Sequence, residues 1–557
     1  MRWLIDKYAS WIIVLAAAVL YLPFLGSVRL FDWDEINFAE CAREMLLTKN
    51  YLSLQMNFLP FSEKPPLFIW LSALSMHFFG VNEFAARLPN AVCGMLTLVI
   101  LFKIGSRVYS PRMGWLWVLS YAGSTLPMFY FKSGIIDPWF NLFIFLGIYF
   151  FVLFSYSNSS EAKNRSIKHV FLSALFIGLA ILTKGPVALL IYGGCVAVFL
   201  VFKKFKKVLS LKQFFILAGV IAFVGGLWFL LLVIDGKLTL ITHFVSYQIH
   251  LQQTEDSGHG GPFYYHFIVL LLGCFPASVF ALRAFKFLGT ENGLQKQFRE
   301  LMLVLFWVVF LLFSFVVKTK IVHYSSLCYF PLTFLAALGI QQLISGELAW
   351  KKWMSFFLIF VGLIFGLALS ALPLVEPFKQ QLIASGWIKD AFAIENLKAS
   401  VHWSGFDYFI GLLTISSVIY SGIELRKKNY LKAVLIVFLA NMLVVELASL
   451  VLAPKIEQYS QAAAIDFYES KQNESCYISA LGYHSYAQYF YPRRAVDSNP
   501  QHLSTDWMLA GPIDKRAYFV AKIDNVEEHL IQHPSLKEIG RKNGYVFLLR
   551  ERVTTPH

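Results

Sequence analysis

The sequence predicts an α-helical integral membrane protein of about thirteen transmembrane helices, followed by a small α/β domain. Hydrophobic residues make up 57% of the 557-residue chain and charged residues only 15%, where a soluble domain carries about 25% charged residues. The mean hydropathy is +0.59. Apolar runs of roughly 20 residues, the length that crosses a bilayer as a helix, recur up to residue 452.

Fifty-four Phe, 26 Tyr and 14 Trp suit lipid-facing helices with aromatic belts at the interfaces. The net charge of +14 would also suit nucleic acid. Its Lys and Arg, however, fall in short loops between apolar runs, which is an orientation signal, so no nucleic-acid partner is expected. The six cysteines include no CxxC pair and mostly lie within apolar runs; they read as small hydrophobes. The first apolar run lacks a small-residue cleavage site and is expected to remain as an anchor.

Spans are expected near 10–30, 85–104, 113–132, 135–155, 168–183, 186–202, 214–234, 265–285, 300–317, 324–345, 353–373, 405–424 and 431–452. With a cytoplasmic N-terminus, the even-numbered connections become cytoplasmic. These run Lys103 to Arg112, Lys163 to Lys168, Lys203 to Lys212, Lys286 to Arg299, before Lys351-Lys352, and Arg426 to Lys432. Each carries Lys or Arg, as the positive-inside rule requires. The opposite face then receives loops 31–84, 235–264 and 374–404 and the C-terminal tail.

Pro66 to Gly80 is apolar but too short to span, about 22 Å at ~1.5 Å per residue against a ~30 Å core. It reads as an interfacial or re-entrant helix. Residues 36–47 alternate Ile36, Phe38, Ala39, Met45 and Leu46 with Glu40, Arg43 and Glu44, the pattern of an amphipathic helix lying on the membrane. Residues 1–452 thus form a membrane domain, and 453–557 a soluble extracytoplasmic domain. In the latter, Cys476 to Leu481, Ala517 to Val520 and Tyr545 to Leu549 read as strands, and Ser485 to Tyr491 and Val526 to His533 as short helices.

Chemistry concentrates on the outer face. Asp34 and Glu35 open the first long loop, after Phe31-Asp32-Trp33; they suit either a helix N-terminus or a reaction site. Asp137 sits at the mouth of the fourth span before Pro138, with the same two readings. Two carboxylates converging there suit a general base with a helper, or a metal-assisted site. Lys64, held by Pro65-Pro66, is placed to meet a lipid phosphate or to snorkel at the interface. Lys184 in Thr183-Lys184-Gly185-Pro186, and Lys318 and Lys320 before His323-Tyr324, carry the same alternatives. His250 precedes, and His259 lies within, a Gly-rich stretch in which Gly258, Gly260 and Gly261 allow close backbone approach.

These motifs occur in a fixed order: Trp-Asp-Glu-x-x-x-Ala-Glu-x-Ala-Arg-Glu-Met, Glu-Lys-Pro-Pro-Leu, Leu-Thr-Lys-Gly-Pro, a Gly-His-x-x-Pro loop and Lys-x-Lys-x-x-His-Tyr. Over roughly residues 1–345 they resemble the aminoarabinose transferase and protein O-mannosyltransferase superfamily, the GT-C type glycosyltransferases that use polyprenyl-phosphate sugars. The resemblance implies that Asp34 is the catalytic base, with Asp137 as second acid. It implies substrate binding by Lys64 and Tyr324, in company with Glu35, Lys184, Lys318, Lys320 and His323. Glu63 with His259 or His250 would hold a divalent metal. Aminoarabinose transferases carry an Arg in the loop after the seventh span, whereas residues 247–261 here contain no Arg or Lys; donor phosphate binding then falls to the lysines.

The resemblance therefore implies an inverting transferase at the bacterial inner membrane, with its site and C-terminal domain facing the periplasm. The expected partners are a polyprenyl-phosphate sugar donor, a lipid- or protein-linked acceptor such as lipid A, and membrane lipid; no nucleotide cofactor is expected. The rival is a polytopic transporter or flippase. Transporters usually place ionisable groups and broken helices near mid-membrane, whereas these acids and lysines gather at span ends.

Overall fold

The computed structural model describes residues 2–157, 163–204, 209–253, 260–286, 291–496 and 500–553. Among them, nine helices are long and apolar enough to cross a bilayer, and Lys7–Tyr21, Leu67–Phe79 and Val187–Phe202 are shorter apolar helices. The chain is a multi-pass membrane protein. Local sequence explains many boundaries. Asn82 accepts from the Ala85 amide to start Glu83–Val108, and Ser110 with Pro111 starts Pro111–Ala122. Reciprocal capping boxes open Leu211–Ile234 at Ser210/Gln213 and Gly405–Arg426 at Ser404/Asp407.

Helices sort by depth in the bundle. The window covering Val322–Ser345 is 89% buried and Asp137–Tyr156 78%, whereas Leu211–Ile234 is only 17% buried. The first two are therefore central, and the third presents its apolar side chains to lipid. Aromatic rings lock the centre: Trp117 meets Phe145, Phe298 and Phe334 edge-on, and Phe145 stacks on Phe330 at 4.4 Å. Where Glu83–Val108 crosses Pro111–Ala122, a Cβ on Gly105 would lie 2.8 Å from the Gly114 Cα. Only glycines allow that approach, as in other small-residue contacts between membrane helices.

Several expected spans are interrupted. Residues 265–285 form two short helices, Tyr265–Gly273 and Ala277–Ala281, split before Pro276. Residues 113–132 break after Ala122 into Thr125–Phe129 and a 3₁₀ turn. The segment 235–264, expected as a loop, contains the helix Leu238–Gln253. Pro66–Gly80 contains the 13-residue helix Leu67–Phe79.

The helix Asp34–Thr48 departs most from expectation. It is amphipathic, yet Glu35, Glu40, Arg43 and Glu44 are all buried with its apolar face. Its polar side is covered by the C-terminal domain instead of water: the Arg43 guanidinium donates to the Arg494 carbonyl at 2.7 Å.

The helical rod that begins at Tyr430 runs through a π-turn to Gln458, past the expected boundary at 452. The domain that follows holds a four-stranded sheet. Call its strands β3 (Cys476–Leu481), β4 (Arg516–Lys522), β5 (Lys537–Lys542) and β6 (Tyr545–Arg550), after the short hairpin β1 (Gln55–Met56) and β2 (Leu59–Pro60). The order is β3-β4-β6-β5, with β3 and β4 parallel and the other pairs antiparallel. β5 was not foreseen because Lys-Glu-Ile-Gly-Arg-Lys carries the charges of an exposed edge strand. One sheet face does not stand alone: Ile478, Tyr518, Val520 and Phe547 share a core with Ile36, Phe38, Phe68 and Ile136.

Candidate active site

Three loops converge at one mouth of the bundle. The first carries Asp34, the first residue of its helix; Trp33, not Asp34, occupies the N-cap position. The second is the turn 133–137. The Asn90 side chain donates to the Ser133 and Ile135 carbonyls at 2.7 and 2.6 Å, presenting Asp137 at the head of its helix. The third is the 3₁₀ segment Val322–Cys328, in which the Ser326 hydroxyl donates to the His323 carbonyl and accepts from Asn141 at 2.7 Å.

These loops, with Lys184, bring five expected residues together. His323 Nε2 lies 3.4 Å from Asp34 Oδ2 and 3.8 Å from Asp137 Oδ2. Lys184 Nζ donates to Asp137 Oδ1 at 2.6 Å, and its ammonium lies 5.2 Å from the Tyr324 ring centre. Asp137 Oδ2 is buried without a hydrogen-bond partner. The Asp34 side chain is 44% exposed and that of Asp137 only 3%. One carboxylate therefore faces the mouth while the other holds Lys184 from beneath.

Lys64 stands beside this group. Gly185 has φ +93°, and a Cβ there would touch Phe244 at 3.1 Å and Pro65 at 4.0 Å. Glycine thus lets the Lys184 turn pack on the Pro65-Pro66 corner. The helix Leu238–Gln253 closes over the corner: Tyr247 donates to Glu63 Oε2 at 3.1 Å, Gln248 donates to the Glu63 carbonyl, and the Tyr247 ring lies 5.3 Å from Lys64 Nζ. Burial pushes the Lys64 pKa down; Glu63 opposes this, Lys184 adds to it, and Asp34 and Asp137 pull it up.

Other expected residues are placed elsewhere. Glu35 does not face substrate: it is 2% exposed and bound to Arg87 Nε and Nη2 at 3.0 and 2.8 Å. It also accepts from the Phe31 and Gly134 amides. Arg87 in turn donates to the carbonyls of Leu25, Val28 and Arg29. The pair staples the loop before Asp34 to the turn before Asp137. Lys320 is likewise taken up by structure, donating to the carbonyls of Phe313, Ser314 and Val317 where a helix ends in a π-turn. Lys318 is exposed.

The expected metal set lies only partly within the described residues. His259 lies outside the described residues, and His250 is exposed on its helix. Among the described residues, no three His, Cys, Asp or Glu side chains gather to hold a metal ion.

Sequence reading missed Arg87, Asn90, Asn141 and Tyr247. Arg87 had a usable signal, because it is an ionisable residue inside an expected span, where such residues are costly and usually functional. The others are polar residues of ordinary kinds whose role is a matter of three-dimensional contact. A mainly apolar cavity of about 400 Å³ is lined by Phe31, of the loop before Asp34, with Phe129, Phe365, Leu372, Val445 and Leu452 among others.

Comparison with known proteins agrees with this architecture. The family model for dolichyl-phosphate-mannose-protein mannosyltransferase matches residues 63–230. The undecaprenyl phosphate-alpha-4-amino-4-deoxy-L-arabinose arabinosyl transferase of Shewanella sediminis is 28% identical over 332 residues, 59% of this chain and 59% of that protein. Its namesake in Pectobacterium carotovorum is 26% identical over 438 residues, 74% of this chain and 76% of its own length. The crystal structure of ArnT from Cupriavidus metallidurans bound to undecaprenyl phosphate superimposes with a TM-score of 0.76, covering 97% of both chains at 17% identity. The chain is thus similar in sequence to these transferases over much of its length and shares the fold of the ArnT structure.

Proposed function

We propose that this protein is an inverting glycosyltransferase that moves a sugar from polyprenyl phosphate to an acceptor hydroxyl at the outer face of the bacterial inner membrane. The observation that carries it is the placement of an open carboxylate, Asp34, within 3.4 Å of His323 and beside the Lys64–Lys184 pair. The names of the relatives support the donor class.

The chemistry follows from the charges. A polyprenyl-phosphate sugar keeps its tail in lipid and its anomeric carbon at the surface. The acceptor oxygen attacks C1 while Asp34 takes the hydroxyl proton. The C1–O bond to phosphate breaks, and the bonding electrons leave with the polyprenyl phosphate, which departs as a dianion. Lys64 stabilises that added charge, and Lys184, held by Asp137, supplies a second positive group. His323 shares the negative charge of the two carboxylates and keeps Asp34 oriented. Attack opposite the leaving group inverts C1. The apolar cavity beside Phe31 suits an alkyl chain, which favours a lipid-linked acceptor. A transporter reading has no need for an open base at the membrane surface.

Purified protein offered a panel of polyprenyl-phosphate sugars, with a lipid A acceptor among others, should transfer one of them with inversion at C1. Retention of configuration, or no turnover on any donor, refutes the proposal. A Cys at Ser504 on a cysteine-free background should react with an impermeant thiol reagent in cells whose inner membrane is intact. Reaction only after that membrane is opened refutes the periplasmic orientation.

A further inference from the structure

The loop before Asp34 has features that proton transfer and phosphate binding do not use. Trp33 has φ 74° and ψ −109°, a conformation rare for any bulky residue. Such strain persists only when the surroundings impose it, and it concentrates at functional sites. Here the surroundings come from the C-terminal domain. Asp32 Oδ2 accepts from the Ser485 hydroxyl, and its Oδ1 accepts from the Tyr486 and Trp33 amides at 3.1 and 2.8 Å.

The clamp holds the Trp33 ring out of the core. It is 42% exposed, and it meets His484 at 5.1 Å and Tyr486 at 6.1 Å between ring centres. His484 and Tyr486 are themselves edge-on at 4.8 Å, and His484 is exposed. A tryptophan serving only to plug the domain junction would be buried.

We infer that Trp33, flanked by His484 and backed edge-on by the buried Tyr486 of the loop after β3, forms an aromatic platform on which a pyranose ring of the acceptor stacks beside Asp34. The inference rests on the sugar-transfer reading above. An indole face is electron-rich and matches the C–H face of a sugar ring, whose hydrogens are slightly positive. Polar groups at the rim, the Asp34 carboxylate and the His484 imidazole, then meet the equatorial hydroxyls. The platform has no Lys or Arg and so offers nothing to a phosphate, whereas Lys64 and Lys184 do. Its neighbour Asp34 must contact the acceptor hydroxyl, so the ring beside it is the acceptor's. The C-terminal domain thereby contributes directly to substrate recognition.

The test uses full-length protein and three soluble probes: methyl α-glucoside, methyl α-mannoside and the deacylated glucosamine disaccharide of lipid A. Saturation-transfer NMR and titration should detect at least one of them on the unmodified protein. Trp33→Ala should weaken that sugar at least fivefold and raise the acceptor KM by a similar factor. Undecaprenyl phosphate affinity and donor KM should stay unchanged, Trp33→Phe should keep about half of the sugar affinity, and His484→Ala should fall between the two. Four results overturn the inference. These are no sugar bound by the unmodified protein, undiminished binding in folded Trp33→Ala and His484→Ala, a rise in donor KM in place of acceptor KM, or a fall in kcat with both KM values unchanged. If no polyprenyl-phosphate sugar is turned over at all, the transferase reading fails, while the binding arms still decide the platform.

Discussion

Asp34 and Glu35 are neighbours on one helix, yet they belong to regions built on opposite principles. Glu35 lies in the seam between loop 31–48, the first long helices and the C-terminal domain. There its carboxylate is closed by Arg87 and two amides, and Arg87 by three carbonyls. Asp34 lies at the mouth, 44% exposed and facing His323 across 3.4 Å. The seam shows how a protein spends charge on architecture: both Glu35 oxygens meet donors, so this carboxylate has nothing left for a substrate. The mouth keeps an open carboxylate and two lysines close together, an arrangement that favours a ligand bringing a proton and a phosphate. Proximity to an acidic motif is therefore a poor guide to chemistry; the number of committed hydrogen bonds is a better one.

The largest effect expected is in the seam. Arg87→Ala leaves Glu35 buried without its partner, and breaking a buried pair in this way costs about 3–5 kcal/mol. The variant should lose most of its folded yield in detergent, measured by size-exclusion profile and thermal unfolding. Normal stability in Arg87→Ala would place Glu35 among groups that water can reach and erase the contrast.

Asp34→Asn should do the reverse. Thermal stability should stay within a degree or two, while turnover falls by about 10²–10⁴. Near-native turnover in a well-expressed Asn variant rules out Asp34 as the base and shifts attention to Asp137 and His323.

Lys64 sharpens the mouth further. Lys64→Ala should raise the donor KM and slow phosphate departure with little change in folding. Lys64→Arg should recover only part, since a planar fork replaces a compact charge. Burial lowers the Lys64 pKa, so phosphate affinity should decline on the alkaline side at a pH below the ordinary lysine value of ~10.4. In Lys64→Arg that alkaline decline should vanish; its persistence would assign it to another group.

The smallest effect concerns Glu44, the seam residue whose charges are not fully closed. Its Oε2 accepts from the Phe58 amide at 2.8 Å, while Oε1 is buried without a hydrogen-bond partner. Burial raises its pKa well above the usual carboxylate range, and Glu40 adds to the rise. The folded state thus keeps a proton that the unfolded chain loses above ~4.3. Stability should decline as pH rises from that value toward the raised folded-state pKa. Glu44→Gln, which carries no such proton, should flatten the decline of melting temperature between pH 5 and 8. An unchanged slope in the Gln variant means that Glu44 is ionised in the fold.

Much of this could be read from the chain before folding. Apolar length specifies helices because backbone groups in hydrocarbon must bond within their own segment. Lys64, Lys184, Lys318 and Lys320 stood out because lysines on the lysine-poor face oppose the usual distribution, and Asp137 as a second acid on the face of Asp34. The resemblance to the superfamily followed from motif order. Interrupted helices were less legible, because a run such as 265–285 has the same composition whether or not it turns at Pro276. Likewise, the polar face of Asp34–Thr48 has the periodicity of a surface helix, and only the packing of residues more than 400 positions away buries it.

The sequence by itself determined the helical membrane class, the small α/β domain and the residue types available at the mouth, since these depend on local composition and periodicity. Tertiary structure alone decided which of two adjacent acids is open and that Lys320 caps a helix instead of meeting substrate. It also decided that the C-terminal domain reaches Asp32 and Trp33. The physical reason is that a side chain's chemistry depends on which partners occupy its lone pairs and hydrogens. Those partners arrive from distant segments that no local pattern names.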